Sequence, residues 1–133
     1  MKKHIEVVAA VIERNGTYFC AQRKDQGELA KKWEFPGGKV ELGETKEEAL
    51  IREIKEELDS LITVDQFLMT IHHEYNTFVI TMHCYKCTLI KGTLVLSEHI
   101  NSKWATVEKM RSIDFAQADK PIIEMLQNNK GNI

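Results

Sequence analysis

No apolar run in this 133-residue chain approaches the length needed to span a bilayer as a helix, so no membrane partner is expected. The opening residues Met1-Lys2-Lys3-His4-Ile5-Glu6 put a charge early in the first apolar stretch, and no small-residue cleavage site follows. A secretory leader is therefore not expected, and the expected location is the cytoplasm. Positive charge is not in excess either. Lysine and arginine number 18 against 20 aspartates and glutamates, a net charge of −2. That balance argues against a nucleic-acid surface spread over the molecule, although a local basic groove stays open. Cysteine is scarce: three residues, an odd count, which disfavours a disulfide framework. Cys84 and Cys87 form a C-x-x-C inside FVITMHCYKCTLI, which reads as a strand. An odd separation on a strand sends the two side chains to opposite faces, so neither a zinc half-site nor a disulfide is expected. No repeat, low-complexity tract or linker divides the chain. Hydrophobic residues at 43% suffice for a core, and one domain over residues 1–133 is expected.

What the chain does have is a dense acidic segment. Residues 38–57, GKVELGETKEEALIREIKEE, carry Glu41, Glu44, Glu47, Glu48, Glu53, Glu56 and Glu57. Thr45-Lys46-Glu47-Glu48 fits a capping box, which starts a helix at Thr45. Leu50, Ile51, Ile54 and Leu58 make its apolar stripe. Residues three and four apart share a helix face, so Glu53, Glu56 and Glu57 converge on one patch. Like charges packed this way destabilise a helix unless a cation sits among them. Oxygen-rich groups of this kind suit a hard divalent ion such as Mg²⁺, which often bridges carboxylates to substrate phosphates.

The remaining elements follow from local pattern. Residues 4–13 read as a strand, Asn15-Gly16 as a hairpin turn, and TYFCAQR as the returning strand. Lys24 to Lys32 reads as a loop. WEF leads into Pro36-Gly37-Gly38, expected as a turn. Residues 61–73 and 78–90 read as strands joined through Glu74-Tyr75-Asn76-Thr77. Lys91-Gly92 turns into TLVL, and Ser102 to Ala105 makes a short strand. A second helix is expected over Lys120 to Asn128, with Asp119 as a possible cap and Pro121 in the first turn. Strands with two helices give an α+β chain with a mixed sheet.

The order of residues is more specific than the charge. Gly38 is followed by five residues and Glu44, then by seven residues and Arg52-Glu53-Ile54-Lys55-Glu56-Glu57. This resembles the signature of the Nudix hydrolase family. Two positions depart from it: Asp59 stands in place of a glycine and Ser60 in place of an apolar residue. Both lie past the carboxylates, so the departure bears on how the helix ends. WEFPGGKVE, IEVVAAVIE and ADKPIIEML further resemble the MutT branch, and within it bacterial CTP pyrophosphohydrolases.

The resemblance implies an α/β/α sandwich with a mixed β-sheet between helices. It also implies an enzyme that takes nucleoside triphosphates to monophosphates and pyrophosphate with Mg²⁺ or Mn²⁺. Carried over residue by residue, the metal ligands are Glu53, Glu56 and Glu57 with the backbone of Gly37. Arg52 then orients Glu53 or Glu56, or else makes only a surface pair with Glu48 or Glu56. Glu98 is implied as a further ligand or general base, with Glu53 the competing base and an ordinary loop charge the plain alternative. Glu44 supports the metal site or only the helix N-terminus. Arg23, Phe35, Gly38, Phe78 and Asp119 are the residues expected against the nucleotide. For Phe35, Tyr75 and Phe78 core packing competes with stacking on a base; for Asp119 helix capping competes with base contact. An ionised Asp119 only accepts hydrogen bonds and suits the cytosine amino group, so the expected substrates are cytosine nucleotides, or else damaged ones removed from the nucleotide pool. His72, His73, His83 and His99 show no ligand spacing and receive no role. The expected partners are a nucleotide substrate and no stable nucleic acid, with a monomer or weak homodimer. Other readings are a Nudix hydrolase of another diphosphate, a sensing module without catalysis, and an acidic calcium-binding helix.

Overall fold

The computed structural model describes residues 2–129. Strand β1 (Lys3–Arg14) is its axis. From Val8 to Ile12 every residue is buried. Such a continuous apolar run suits a strand covered on both faces. β1 runs parallel to β6 (Phe78–Lys91), from Lys3 opposite Phe78 to Ile12 opposite Cys87. Strand β5 (Leu61–Glu74) pairs antiparallel on the far side of β6. Asn15 and Gly16, both at positive φ (53° and 78°), turn β1 back into β2 (Thr17–Arg23). β2 carries β3 (Trp33–Glu34) and β7 (His99–Ala105). The sheet order β3-β2-β1-β6-β5 mixes parallel and antiparallel pairs, as expected.

Two segments differ from expectation. Gly37-Gly38 does not form a turn; with Lys39 it forms strand β4 (Gly37–Lys39), with Gly38 opposite Val8 of β1. A Cβ at Gly37 would collide with the Val8 carbonyl, so a glycine there permits the close approach. β7 begins at His99 rather than Ser102, because its first residues pair with the end of β2.

The helices lie on opposite faces. Helix α1 (Lys46–Leu58) packs Leu50, Ile54 and Leu58 against Val8, Ala10, Ile12, Tyr85 and Cys87. Each of these helix side chains contributes roughly 1.5–3 kcal/mol by burial. Helix α2 (Lys120–Asn128) packs Ile122, Ile123 and Leu126 with Ala9, Val11, Cys84 and Phe115. The result is the expected α/β/α sandwich, and Cys84 and Cys87 point into different layers. No helix among the described residues is long and apolar enough to cross a membrane.

Both ends of α1 are explicit. Thr45 Oγ1 accepts from the Glu48 amide at 3.1 Å, and Glu48 Oε1 accepts from the Thr45 amide at 2.9 Å, the capping box. At the other end Asp59 takes the left-handed conformation (φ 47°) and donates its amide to the Lys55 carbonyl at 3.1 Å. The motif's glycine position is thus filled by an aspartate that adopts the glycine's backbone.

Candidate active site

A cleft of about 1010 Å³ opens along one end of the sheet, lined from β1, β3, β4, α1 and the loops after β2 and β6. Its acidic end is organised by Arg52. Arg52 Nε donates to Glu44 Oε2 at 2.7 Å and Nη2 to Glu44 Oε1 at 3.0 Å, a two-pronged grip. Nη1 donates to Glu53 Oε1 at 2.9 Å and to Glu56 Oε1 at 3.0 Å, and Nη2 also donates to the Lys39 carbonyl at 2.9 Å. Glu48 is not among these partners. The hydrogen bond to Glu44, followed by that to Glu53, holds the guanidinium well above its ordinary range. Arg52 in turn lowers Glu44, which also accepts from the Glu41 amide. Glu44 therefore anchors Arg52 rather than lining the cleft itself.

Gly38 makes room for this arrangement, since a Cβ there would collide with the Glu53 carboxylate. Glu57 lies deeper than Glu56. Burial, then the charge of Glu53, a hydrogen bond with Glu53, and the charges of Glu34 and Glu98 push its carboxyl up to about 8. Carboxylates crowded until one resists ionisation are a donor set that fits a hard divalent cation. Among the described residues no three His, Cys, Asp or Glu side chains are drawn around one point as ligands of a single ion. Arg52 draws Glu53 and Glu56 by one oxygen each, which leaves the other oxygen of each free of it. Glu98 reaches the same wall from the loop before β7, with its side chain 59% exposed and a loose ion pair to Lys24 at 3.4 Å.

The opposite end is aromatic around one buried acid. Asp119 is 4% exposed, and its Oδ2 accepts from the Phe35 amide at 2.9 Å. It stands at the N-cap position of α2, as expected, but its side chain makes no capping bond to the helix. Its backbone is already helical (φ −85°, ψ −16°) after the short turn Gln117–Asp119, whereas a capping side chain needs an extended residue. Burial, then the charge of Glu34, pushes the Asp119 carboxyl well above its ordinary value, against the pull of the Phe35 amide and Arg23. Phe35 is buried and stacks on Phe115 with ring centroids 5.4 Å apart. Tyr75 belongs to the core, its hydroxyl accepting from the Ala118 amide at 2.8 Å. Phe78 is half-buried on the cleft wall, 4.9 Å from the Tyr75 ring.

Glu34 joins the two ends, and sequence reasoning missed it. It accepts from Arg23 at 3.2 Å and bonds His99 Nε2 at 2.9 Å. His99, which had no assigned role, thus braces a cleft carboxylate from β7. The local signal was an acid set between two aromatic residues on a short strand. Its partners lie far away in sequence.

The profile described as NUDIX domain matches residues 7–125. The CTP pyrophosphohydrolase of Escherichia coli K12 is 40% identical over 122 residues, 92% of this chain and 90% of that protein. The 8-oxo-dGTP diphosphatase of the same organism is 31% identical over 96% of this chain and 98% of its own length. The solution structure of the E. coli ORF135 protein superposes with a TM-score of 0.81 at 37% identity, covering 97% of this chain and 92% of that one.

Proposed function

This chain belongs to the NUDIX domain family and is a Nudix hydrolase, and we propose that it converts a nucleoside triphosphate to the monophosphate and pyrophosphate. The observation that carries the reading is the two-ended cleft, with the carboxylates fanned by Arg52 at one end and the buried Asp119 at the other. A volume of about 1010 Å³ accommodates a nucleotide.

Nudix hydrolases work with a divalent metal, and Mg²⁺ or Mn²⁺ suits the oxygen donors here. Glu53, Glu56, Glu57, Glu98 and the Gly37 carbonyl would hold it. When bound, the ion supplies positive charge to the phosphoryl oxygens and acidifies water. Arg52 sets the orientation of Glu53 and Glu56, and Glu44 keeps Arg52 in place. Glu98 or Glu53 takes the proton from the attacking water, and the arrangement leaves both eligible. Arg23, Gly38, Phe35, Phe78 and Asp119 form the nucleotide wall, with Phe78 the ring free enough to stack on a base. The working form is a monomer or weak homodimer acting as one domain in the cytoplasm, without stable nucleic acid.

The favoured base is cytosine. The CTP pyrophosphohydrolase relative supports it, and a carboxyl oxygen of Asp119 is an acceptor that suits the cytosine amino group. A second reading, a damaged guanine nucleotide, is favoured by the burial of Asp119. Burial pushes this carboxyl up, toward the protonated form that both donates and accepts. Hydrolysis of another nucleoside diphosphate derivative would need different groups beyond the acidic end. A sensing module would be expected to lose a carboxylate, yet Glu53, Glu56 and Glu57 are all present. The deciding experiment screens common and damaged nucleotides for phosphate release with and without added pyrophosphatase. Release that depends on pyrophosphatase, highest for cytosine nucleotides, is expected. Phosphate released without it, or no turnover of any triphosphate, would overturn the reading.

A further inference from the structure

Little holds the Glu98 side chain itself. It is 59% exposed and its ion pair to Lys24 is 3.4 Å long. Its place is therefore set by the backbone of residues 92–98, which run without regular structure between β6 and β7. That path is not the default of the local sequence. Leu94 lies in the left-handed region (φ 56°), which a leucine rarely adopts, and its side chain is buried beneath α1.

Partners outside the segment hold it there. The Leu94 amide donates to Ser60 Oγ at 2.8 Å, and the Ser60 hydroxyl donates to the Leu58 carbonyl at 2.9 Å. The Val95 amide donates to the same Leu58 carbonyl at 2.9 Å. Ser97 Oγ donates to the Glu57 carbonyl at 2.6 Å. The last carbonyls of a helix lack partners within it. Here those of Glu57 and Leu58, the last two of α1, accept from the segment that carries Glu98. Ser60 is 2% exposed and stands where the family pattern has an apolar residue, which has no hydroxyl to offer Leu94.

We propose that Ser60 and Ser97 are positioning residues: they moor residues 92–98 to the end of α1 and so set the Glu98 carboxylate against Glu57. The proposal rests on the reading of Glu98 as part of the reaction centre. A merely structural role would show in stability and would not depend on Glu98.

The test compares Ser60→Ala, Ser97→Ala and Ser97→Thr, alone and combined with Glu98→Gln. It follows kcat, KM and Tm, and amide exchange over residues 93–98 in the metal-free protein. Loss of either hydroxyl is expected to lower kcat about tenfold to a hundredfold, the scale of a misplaced reacting group. KM should hold, Tm should hold in Ser97→Ala and fall by only a few degrees in Ser60→Ala, whose Leu94 amide loses a partner, and Ser97→Thr, which keeps the hydroxyl, should restore the rate. Adding Ser97→Ala to Glu98→Gln should cost nothing further. In Ser60→Ala the Leu94 amide should exchange about tenfold faster, as expected for one lost hydrogen bond. Unchanged kcat and exchange in both alanine variants would overturn the proposal. So would an equal fall in the Glu98→Gln background, or a fall in Ser97→Ala that tracks Tm. If Glu98→Gln alone leaves kcat untouched, the reading of Glu98 fails and exchange decides the mooring: faster exchange keeps it, unchanged exchange overturns it.

Discussion

Glu53 gives one oxygen to Arg52 and packs where Gly38 has no side chain. Glutamine fits that space but carries no charge for a cation or a proton. Glu53→Gln is expected to lower turnover roughly 10²–10⁴-fold, the scale of a positioned acid–base group, with the fold intact. A near-normal rate at saturating Mg²⁺ removes Glu53 from the mechanism. Asp119 invites a paired measurement. Asp119→Asn keeps an acceptor for the Phe35 amide and gains a fixed donor. The ratio of kcat/KM for dCTP to that for 8-oxo-dGTP is expected to fall about tenfold to a hundredfold, the cost of one mispaired buried hydrogen-bonding group. An unchanged ratio takes Asp119 out of base selection. The same variant carries a pH signature. A carboxyl whose folded value lies above its unfolded value of 3.8 adds stability below 3.8 and loses that contribution as pH rises through the folded value. Asparagine does not titrate. The Tm of Asp119→Asn relative to the parent should therefore climb from acidic to alkaline buffer, and a flat difference would contradict the upward shift.

Helix α1 shows which features are written locally. Its capping box, apolar stripe and end at Leu58 all depend on residues within a few positions of one another, and all were legible. Asp59 tests the end of the helix. Its left-handed backbone costs an aspartate more than a glycine, and its 3.5 Å pair with Lys55 is exposed on both sides. Asp59→Gly should raise unfolding stability by about 0.5–1 kcal/mol, read from urea midpoints. A lower midpoint would mean that the side chain contributes more than the strain it tolerates. β4 was not legible in the same way. Pro-Gly-Gly reads as a turn by composition, and only the neighbouring β1 makes it a strand. The Glu34–His99 pair and the mooring of Glu98 escaped for a related reason, since each joins segments dozens of residues apart. Asp119 was found through the family pattern, but its burial, and the upward push this gives its carboxyl, depends on packing against Phe35 that no local window contains.

The cleft draws on nearly every layer of the molecule, so its reaction should need the cation and the whole arrangement together. Activity is expected to vanish with chelator and return with Mg²⁺ or Mn²⁺. Turnover in ¹⁸O-water should leave the label in pyrophosphate, because the resemblance implies attack at the β-phosphorus. Label in the monophosphate would move the attack to the α-phosphorus and require the phosphates to lie one position further along the acidic wall. Catalysis that survives exhaustive chelation would sink the oxygen-ligand reading altogether.

The three thiols turn the sandwich into its own stopwatch. Cys20, Cys84 and Cys87 are buried, and burial pushes Cys20 and Cys87 up to about 12 and raises Cys84 as well. The thiolate is the form that attacks alkylating reagents and peroxides, so the native protein should be silent toward both. Each adduct then records an opening event. Cys20 and Cys84 face the α2 layer and Cys87 the α1 layer. Site-resolved alkylation rates therefore time the two layers separately. Matching rates at all three would mean that the layers part in one step, whereas a faster rate at Cys20 and Cys84 would mean that the α2 layer opens while the α1 layer stays shut.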